Sequence, residues 1–370
     1  TDYQSCPAMG WDTSPVMMPP PPGRSFSSDN AAGIHPTVLD AVARANIGHA
    51  VAYGDDDWTR RCESQFRELF GSETRTLLAF AGTGANVLAL ATMLGPAEAV
   101  VCSRWAHVAV DETGAPERIL GAKLIELDSD DAKLRPEQLD GLAHLLGVEH
   151  HAQPGVVSIT QSTELGTVYS ADEVGALCER AHHYGMRVHM DGARIANAVA
   201  ALGGTVAALR ACTVDAGVDV LTFGGTKIGL LGGDAVVYLN PELARSARFV
   251  RKQVTQLASK MRFIAAQFSA LIDDDLWIAL ATHANAMTRR LAVLTDDIPG
   301  VSHTRAPIVN SLFPRLPVET IAPLQDWCFF WPWDIATNQV RWMTAWDTTE
   351  ADVVTFAEGV RQMVGAYERR

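Results

Sequence analysis

A chain of 370 residues with 48% hydrophobic and 20% charged residues can bury a large core, a size that favours one large domain with a smaller one. Its net charge of −13 argues against nucleic acid or an anionic membrane surface as a partner, because both reward clustered Lys and Arg. The six cysteines, Cys6, Cys62, Cys102, Cys178, Cys212 and Cys328, are scattered without close pairing, so they suggest neither a disulfide framework nor a zinc site and make a reducing cytoplasm the expected location.

The first 25 residues include "VMMPPPPG" but no basic segment followed by an apolar one, so they do not read as a signal peptide; residues 1–27 are expected to form an extended arm. Short apolar runs then recur at Thr76–Phe80, Glu98–Cys102, Lys123–Leu127, Val156–Thr160, Arg187–Asp191, Val218–Phe223 and Asp234–Leu239. Thr76 to Ala97 carries no charge and is long enough to mimic a membrane span, but its centre "AGTGAN" is polar and glycine-rich, which fits strand, turn and helix better. Segments of helical periodicity, such as Pro136–Gly147 and Ala171–Tyr184, separate most of the runs. Seven strands alternating with helices predict an α/β fold with a seven-stranded, mostly parallel sheet covered on both faces. After Leu239 the pattern changes to long helical stretches, Pro241–Ile272 and Leu276–Thr295, then a Pro- and Trp-rich segment and a last helix near Thr349–Tyr367. The expected division is a large domain over 28–275 and a smaller α+β domain over 276–370.

Ligands of such sheets bind beyond the carboxyl ends of the strands, so the polar residues that follow each strand are the candidates. They are Gly82-Thr83-Gly84, Trp105 and His107, Gln161 to Glu164, Asp191 with Arg194, and Thr226-Lys227. Gly82-Thr83-Gly84 opens a helix expected over Asn86–Leu94, whose free N–H groups would face an anion such as phosphate. It is not a Walker A loop, and Val87 stands where a dinucleotide fingerprint needs glycine. Asp191 ends the strand "RVHMD", where a carboxylate needs a cationic partner such as a protonated pyridine nitrogen. Lys227, in "TFGGTKIGLLGG", is a lone amine among apolar and glycine residues, which suits Schiff-base formation. Phosphate cup, aspartate and lysine in this order describe pyridoxal 5'-phosphate.

The segments "SFSSDNAAGIHPTVLDAV", "YGDDDWT", "AGTGANVLAL", "AHVAVDETGAPE", "HMDGARIANAV" and "TFGGTKIGLLGG" together resemble the threonine aldolases, within the aspartate-aminotransferase fold class (fold-type I) of pyridoxal phosphate enzymes. The likeness runs from about Phe26 to the last helix. "SSDNAAG" and "ASKMRFIAAQF" look most like a branch that includes phenylserine and low-specificity aldolases, although Ala258-Ser259-Lys260 replaces that family's glycine-rich stretch. The resemblance implies that Lys227 carries the cofactor, Asp191 pairs with its ring nitrogen and His107 stacks on the ring. Gly82 and Thr83 would bind the phosphate, with Arg194 close by. Arg341, in "QVRWMTAWDTT", would grip the substrate carboxylate with Ser28 beside it, a task that suits a planar guanidinium. The implied reaction is retro-aldol cleavage of a β-hydroxy-α-amino acid (threonine, allo-threonine or phenylserine type) to glycine and an aldehyde, with either His107 or a water that it orients taking the hydroxyl proton.

A β-eliminating lyase or transaldolase on the same cofactor would use the same residues, and a non-covalent nucleotide-binding module would use Gly82–Gly84 alone. His150-His151 reads as a solvated loop, and no metal site is expected. The resemblance also implies a homodimer or homotetramer, with "YGDDDWT" and Lys260 to Arg262 near the subunit contact. The density of rings around Arg341 (Trp327, Phe329, Phe330, Trp331, Trp333, Trp342 and Trp346) is expected to serve mostly as core, with part of "CFFWPWD" as irregular backbone bordering the cleft.

Overall fold

The computed structural model describes residues 18–368. Seven strands form the large sheet: β1 (Arg75–Ala79), β2 (Glu98–Ser103), β3 (Leu124–Leu127), β4 (Gln153–Thr160), β5 (Arg187–Gly192), β6 (Val220–Gly224) and β7 (Asp234–Tyr238). Their spatial order is β1-β7-β6-β5-β4-β2-β3, and only β7 runs against its neighbours. The central strands are buried along almost their whole length, as continuous apolar runs covered on both faces must be.

Local signals set the helices that cover the sheet. Ser170 caps the helix Ala171–His183 through a reciprocal bond with Glu173, and Asp56 caps the helix Asp57–Phe70 through the Thr59 N–H. Gly224 decides how closely the ligand-side loops approach one another. A Cβ there would stand 2.5 Å from the Ala193 carbonyl oxygen, so only glycine lets β6 pass under the loop that follows β5. That contact sets the lysine loop beside the end of β5.

The residues after 300 build a second, antiparallel sheet from the short strands Ser302–His303, Ser311–Leu312, Pro314–Arg315, Trp331–Asp334 and Gln339–Met343. Its core gathers Phe330, Trp342, Phe356 and Leu324, and Phe26 is buried in it, stacked on Phe356 with centroids 4.2 Å apart. The Met343 N–H donates to the Phe26 carbonyl at 2.9 Å, so the residues after Phe26 run along the strand that carries Arg341. The helix Leu276–Thr295 serves both cores, burying Trp277 and Leu280 in the large one and Leu291 in the small one.

Four local expectations differ. The helix after β1 starts at Gly82 itself and runs to Met93, so Gly82–Gly84 is its first turn and not a preceding loop. Pro136–Gly147 is a single turn, Pro136–Asp140, followed by a 3-10 turn at Ala143–Leu145. The stretch Pro241–Ile272 breaks into a 3-10 turn, the helix Ala247–Val254 and the helix Met261–Ile272, with Gln256 at φ 54° ending the middle piece. "WPWD" is strand, with a register shift between Pro332 and Asp334: Pro332 is tolerated because Trp331–Asp334 lies at the edge of the small sheet. Residues 1–17 of the expected arm lie outside the described residues.

Candidate active site

Two adjoining cavities, of about 940 and about 440 Å³, open at the carboxyl ends of the strands and share Asn30, His107 and Lys227 on their walls. The larger holds Gly82, Thr83, Asp234 and Ala258 to Lys260. The smaller holds Ser28, Glu164, Arg194, Trp333 and Arg341. Lys227, on the 3-10 turn Thr226–Ile228, is half-buried and makes no hydrogen bond or ion pair among the described residues.

Behind the cavity wall, Asp191 is 4% exposed. Its Oδ1 accepts from the Ala193 N–H at 2.9 Å and its Oδ2 from Asn86 Nδ2 at 2.8 Å. Burial pushes this carboxyl up, but the neighbouring His189, the Ala193 N–H, Lys227 and Asn86 together hold it below the usual carboxylate range. His189 lies buried behind it between Ser158 Oγ at 2.9 Å and Thr222 Oγ1 at 3.1 Å, and burial holds its imidazole down at about 4. The pair is therefore an ionised aspartate beside a buried histidine whose two ring nitrogens are already partnered.

Asn86 extends the network. The same Nδ2 donates to Glu112 Oε1 at 2.8 Å, and that oxygen also meets His107 Nδ1 at 2.8 Å. Glu112 is 3% exposed, so His107 gains a buried carboxylate partner. That bond raises its pKa, with burial opposing and Asp191 assisting. The bond assigns a proton to Nδ1 and leaves Nε2 as the nitrogen available to a ligand.

On the substrate-side wall, Arg194 grips Asp29 through Nε at 2.7 Å and Nη2 at 2.9 Å, and Asn310 supports the same carboxylate at 3.0 Å. Asp29 is 2% exposed, so this is a buried, bidentate pair. Arg341 lies across the cavity with its guanidinium over the Trp333 ring at 5.5 Å and one bond, from Nη2 to the Ser27 carbonyl at 3.2 Å. Its Nε is buried without an acceptor, and burial together with nearby Arg194 lowers its pKa to about 10. An under-partnered cation of this kind is built to receive a carboxylate. Glu164 completes the wall: Oε1 accepts from the His107 N–H and from Thr160 Oγ1, both at 2.8 Å, while Oε2 is buried without a partner. Burial pushes its carboxyl up to about 7 against those donors.

These residues fit a phosphorylated, ring-bearing cofactor. No side chain caps the helix Gly82–Met93, and the space where a Gly82 Cβ would stand is open, so the first-turn N–H groups are presented to an anion. Asp191, ionised behind the cavity wall, suits a cationic ring nitrogen, and the Lys227 amine, unpartnered among the described residues, lines the cavity.

The structure thus brings Ser28, Gly82, Thr83, His107, Arg194, Lys227 and Arg341 to one cleft, with Asp191 buried behind it and joined to His107 through Asn86 and Glu112. It does not bring Trp105, whose Nε1 donates to the Ser129 carbonyl, or Gln161, which is bonded on both ends of its amide to the Tyr169 backbone. His150 and His151 are on the exposed surface. Asp29, Asn86 and Glu112 had no role in the sequence reading, although each lies inside a quoted motif. Asn86 is the most readable of them, as a buried amide within the mostly apolar helix Gly82–Met93.

Comparison with known proteins adds three findings. Residues 25–313 match the family model described as beta-eliminating lyase. The chain is 42% identical over 346 residues to a low specificity L-threonine aldolase of Pseudomonas aeruginosa, covering 93% of this chain and 99% of that one, and 41% identical over the same length to one from a Pseudomonas species. A solved threonine aldolase structure from Leishmania major superposes with a TM-score of 0.85 at 30% identity, over 92% of this chain and 99% of that one. The fold is aspartate-aminotransferase-like.

Proposed function

The chain belongs to the beta-eliminating lyase family, among its threonine aldolases, and from that membership we propose how its cleft works: it holds pyridoxal 5'-phosphate on Lys227 and cleaves β-hydroxy-α-amino acids to glycine and an aldehyde. The observation that carries this reading is Lys227, whose amine has no partner among the described residues, lining one cavity with an uncapped helix N-terminus while the buried, ionised Asp191 lies behind it.

In this reading the first-turn N–H groups of Gly82 and Thr83 would hold the phosphate, Asp191 the ring nitrogen, His107 the ring face and Lys227 the aldehyde carbon of the cofactor. When bound, the cofactor supplies an electron sink for the pair left on Cα as the Cα–Cβ bond breaks. The protein's own part is orientation and proton transfer. Arg341 binds the substrate carboxylate, with Ser28 at the same wall and the Asp29–Arg194 pair fixing the backbone that carries it. The β-hydroxyl proton leaves for His107 Nε2 or for a water held by it, and Glu112 stabilises the charge that His107 gains. Cα then regains a proton to give glycine. The large unit, residues 28–275, would hold the cofactor and residues 276–370 would present the clamp for the substrate. The active species is a homo-oligomer, and its setting is the cytoplasm.

Lys227→Ala tests the reading. The Lys227 amine has no hydrogen bond or ion pair to lose among the described residues, so the variant should keep its fold and still take up cofactor through the phosphate cradle. It should lose the visible absorbance of the loaded wild type and lose turnover by at least about 10³-fold, the scale on which covalent catalysis contributes. Unchanged turnover would refute it.

A further inference from the structure

A separate cavity of about 490 Å³, sharing no lining residue with the cleft, lies between the helix Asp57–Phe70, the edge strand β1 and the helix Ala247–Val254. Six arginines line it, against two carboxylates, Asp55 and Glu63, in a chain whose net charge is −13. Three of the six are accounted for locally. Arg60 pairs with Asp57, Arg245 with Glu242, and Arg75 donates to the carbonyls of Glu73 and Thr74. The guanidinium groups of Arg67, Arg248 and Arg251 make no hydrogen bond or ion pair among the described residues. Glu63 feels Arg67, Arg251, Arg248 and Arg75 electrostatically, but no guanidinium nitrogen comes within ion-pair distance of it.

Arg251 is the informative member. It is 7% exposed, and its Nε is buried with no acceptor. Thr76, on the same cavity wall, also has a buried hydroxyl without a partner. A guanidinium taken out of water without an anion is costly, and proteins keep such a group where a ligand supplies the missing charge. Guanidinium forks match the oxygens of a phosphoryl group in pairs. Four guanidinium groups without a carboxylate partner, those of Arg67, Arg75, Arg248 and Arg251, face two unpaired carboxylates, Asp55 and Glu63, and leave an excess that suits a dianion better than chloride. The cavity has room for a small organic body attached to that group.

We propose that this cavity is a second ligand site, which binds the dianionic phosphoryl group of a small molecule through Arg67, Arg248 and Arg251. The site does not depend on the chemistry assigned to the cleft. Its test is calorimetric titration of the protein saturated with pyridoxal phosphate, so that the cradle at Gly82 is already filled. Inorganic phosphate and glycerol phosphate are the probes, at ionic strength fixed with chloride. One saturable event per chain is expected, weakened at least tenfold in Arg251→Met and in the double variant Arg67→Ala/Arg248→Ala, with aldehyde release unchanged. Tighter binding of the monoester would identify a phosphorylated metabolite as the occupant, and equal binding would identify free phosphate. The double variant alters surface-accessible positions and carries the test if Arg251→Met does not fold. Equal binding by wild type and variants, or no binding beyond the chloride control, would overturn the proposal. So would variants that change the sedimenting mass but not phosphate binding, because the arginines would then serve a contact between copies.

Discussion

Glu164 shows how much one buried carboxyl can couple the cleft to pH. Burial raises its pKa from the ordinary carboxylate range to about 7, so the folded chain binds a proton that the unfolded chain has already released. Stability from this group is present at low pH and falls as pH rises from about 4.5 to about 7, by up to about 3 kcal/mol for a shift of that size. Glu164→Gln removes the titration while leaving an acceptor for the His107 N–H. In the cofactor-free protein, the variant's unfolding free energy relative to wild type should therefore rise between pH 5 and pH 8 by about 2 kcal/mol. Urea unfolding at the two pH values checks this; an offset that does not change with pH would mean that Glu164 ionises normally. Its position after β4 was readable from the sequence, but its environment was not. The same holds for Asp191 and Lys227, whose placement at strand ends follows from the alternation of strands and helices. The partners that set their charge come from far along the chain: Asn86 is 105 residues from Asp191, and Asp29 is 165 from Arg194. No local pattern announces such a pairing.

At the scale of elements, Ala171–His183 is legible almost to the residue because capping and periodicity agree there, and Leu276–Thr295 is legible from its long helical pattern although no side chain caps it. The edge strand Trp331–Asp334 was not, because Pro332 and four aromatic residues in "CFFWPWD" give no alternating pattern; the strand forms because Gln339–Met343 offers it a partner. The strand divides the rings by role. Phe330 and Trp342 are fully buried in the small core, and Trp327 packs on Phe356. Trp331 is 49% exposed and, with Trp333, lines the substrate-side cavity opposite Arg341. An apolar wall beside the carboxylate clamp favours transition states with a bulky group on Cβ. Phenylserine should therefore be cleaved with higher kcat/KM than threonine, and Trp331→Ala should reduce the phenylserine value by about tenfold, the effect of about 1–2 kcal/mol of lost ring contact, while changing threonine little. Equal losses on both substrates would assign the ring to the small domain's structure.

For the whole molecule, the larger cavity is open along Phe80 and Leu231, which are 61% and 64% exposed, and Tyr53 of "YGDDDWT" bonds the backbone of Ser259 next to Lys260. Apolar residues exposed at the mouth of a cleft are what a second copy would cover. Sedimentation of the cofactor-loaded protein at assay concentration should give a dimer or a larger assembly, and a fully active monomer would contradict it. The central claim, cleavage of the Cα–Cβ bond in this cleft, is tested most directly by product analysis. The loaded protein is incubated with phenylserine and with threonine, and glycine, aldehyde, ammonia and 2-oxo acid are quantified in one reaction. The account predicts glycine and aldehyde in equal amounts without ammonia. Ammonia and a 2-oxo acid in place of glycine would show elimination, and would contradict it.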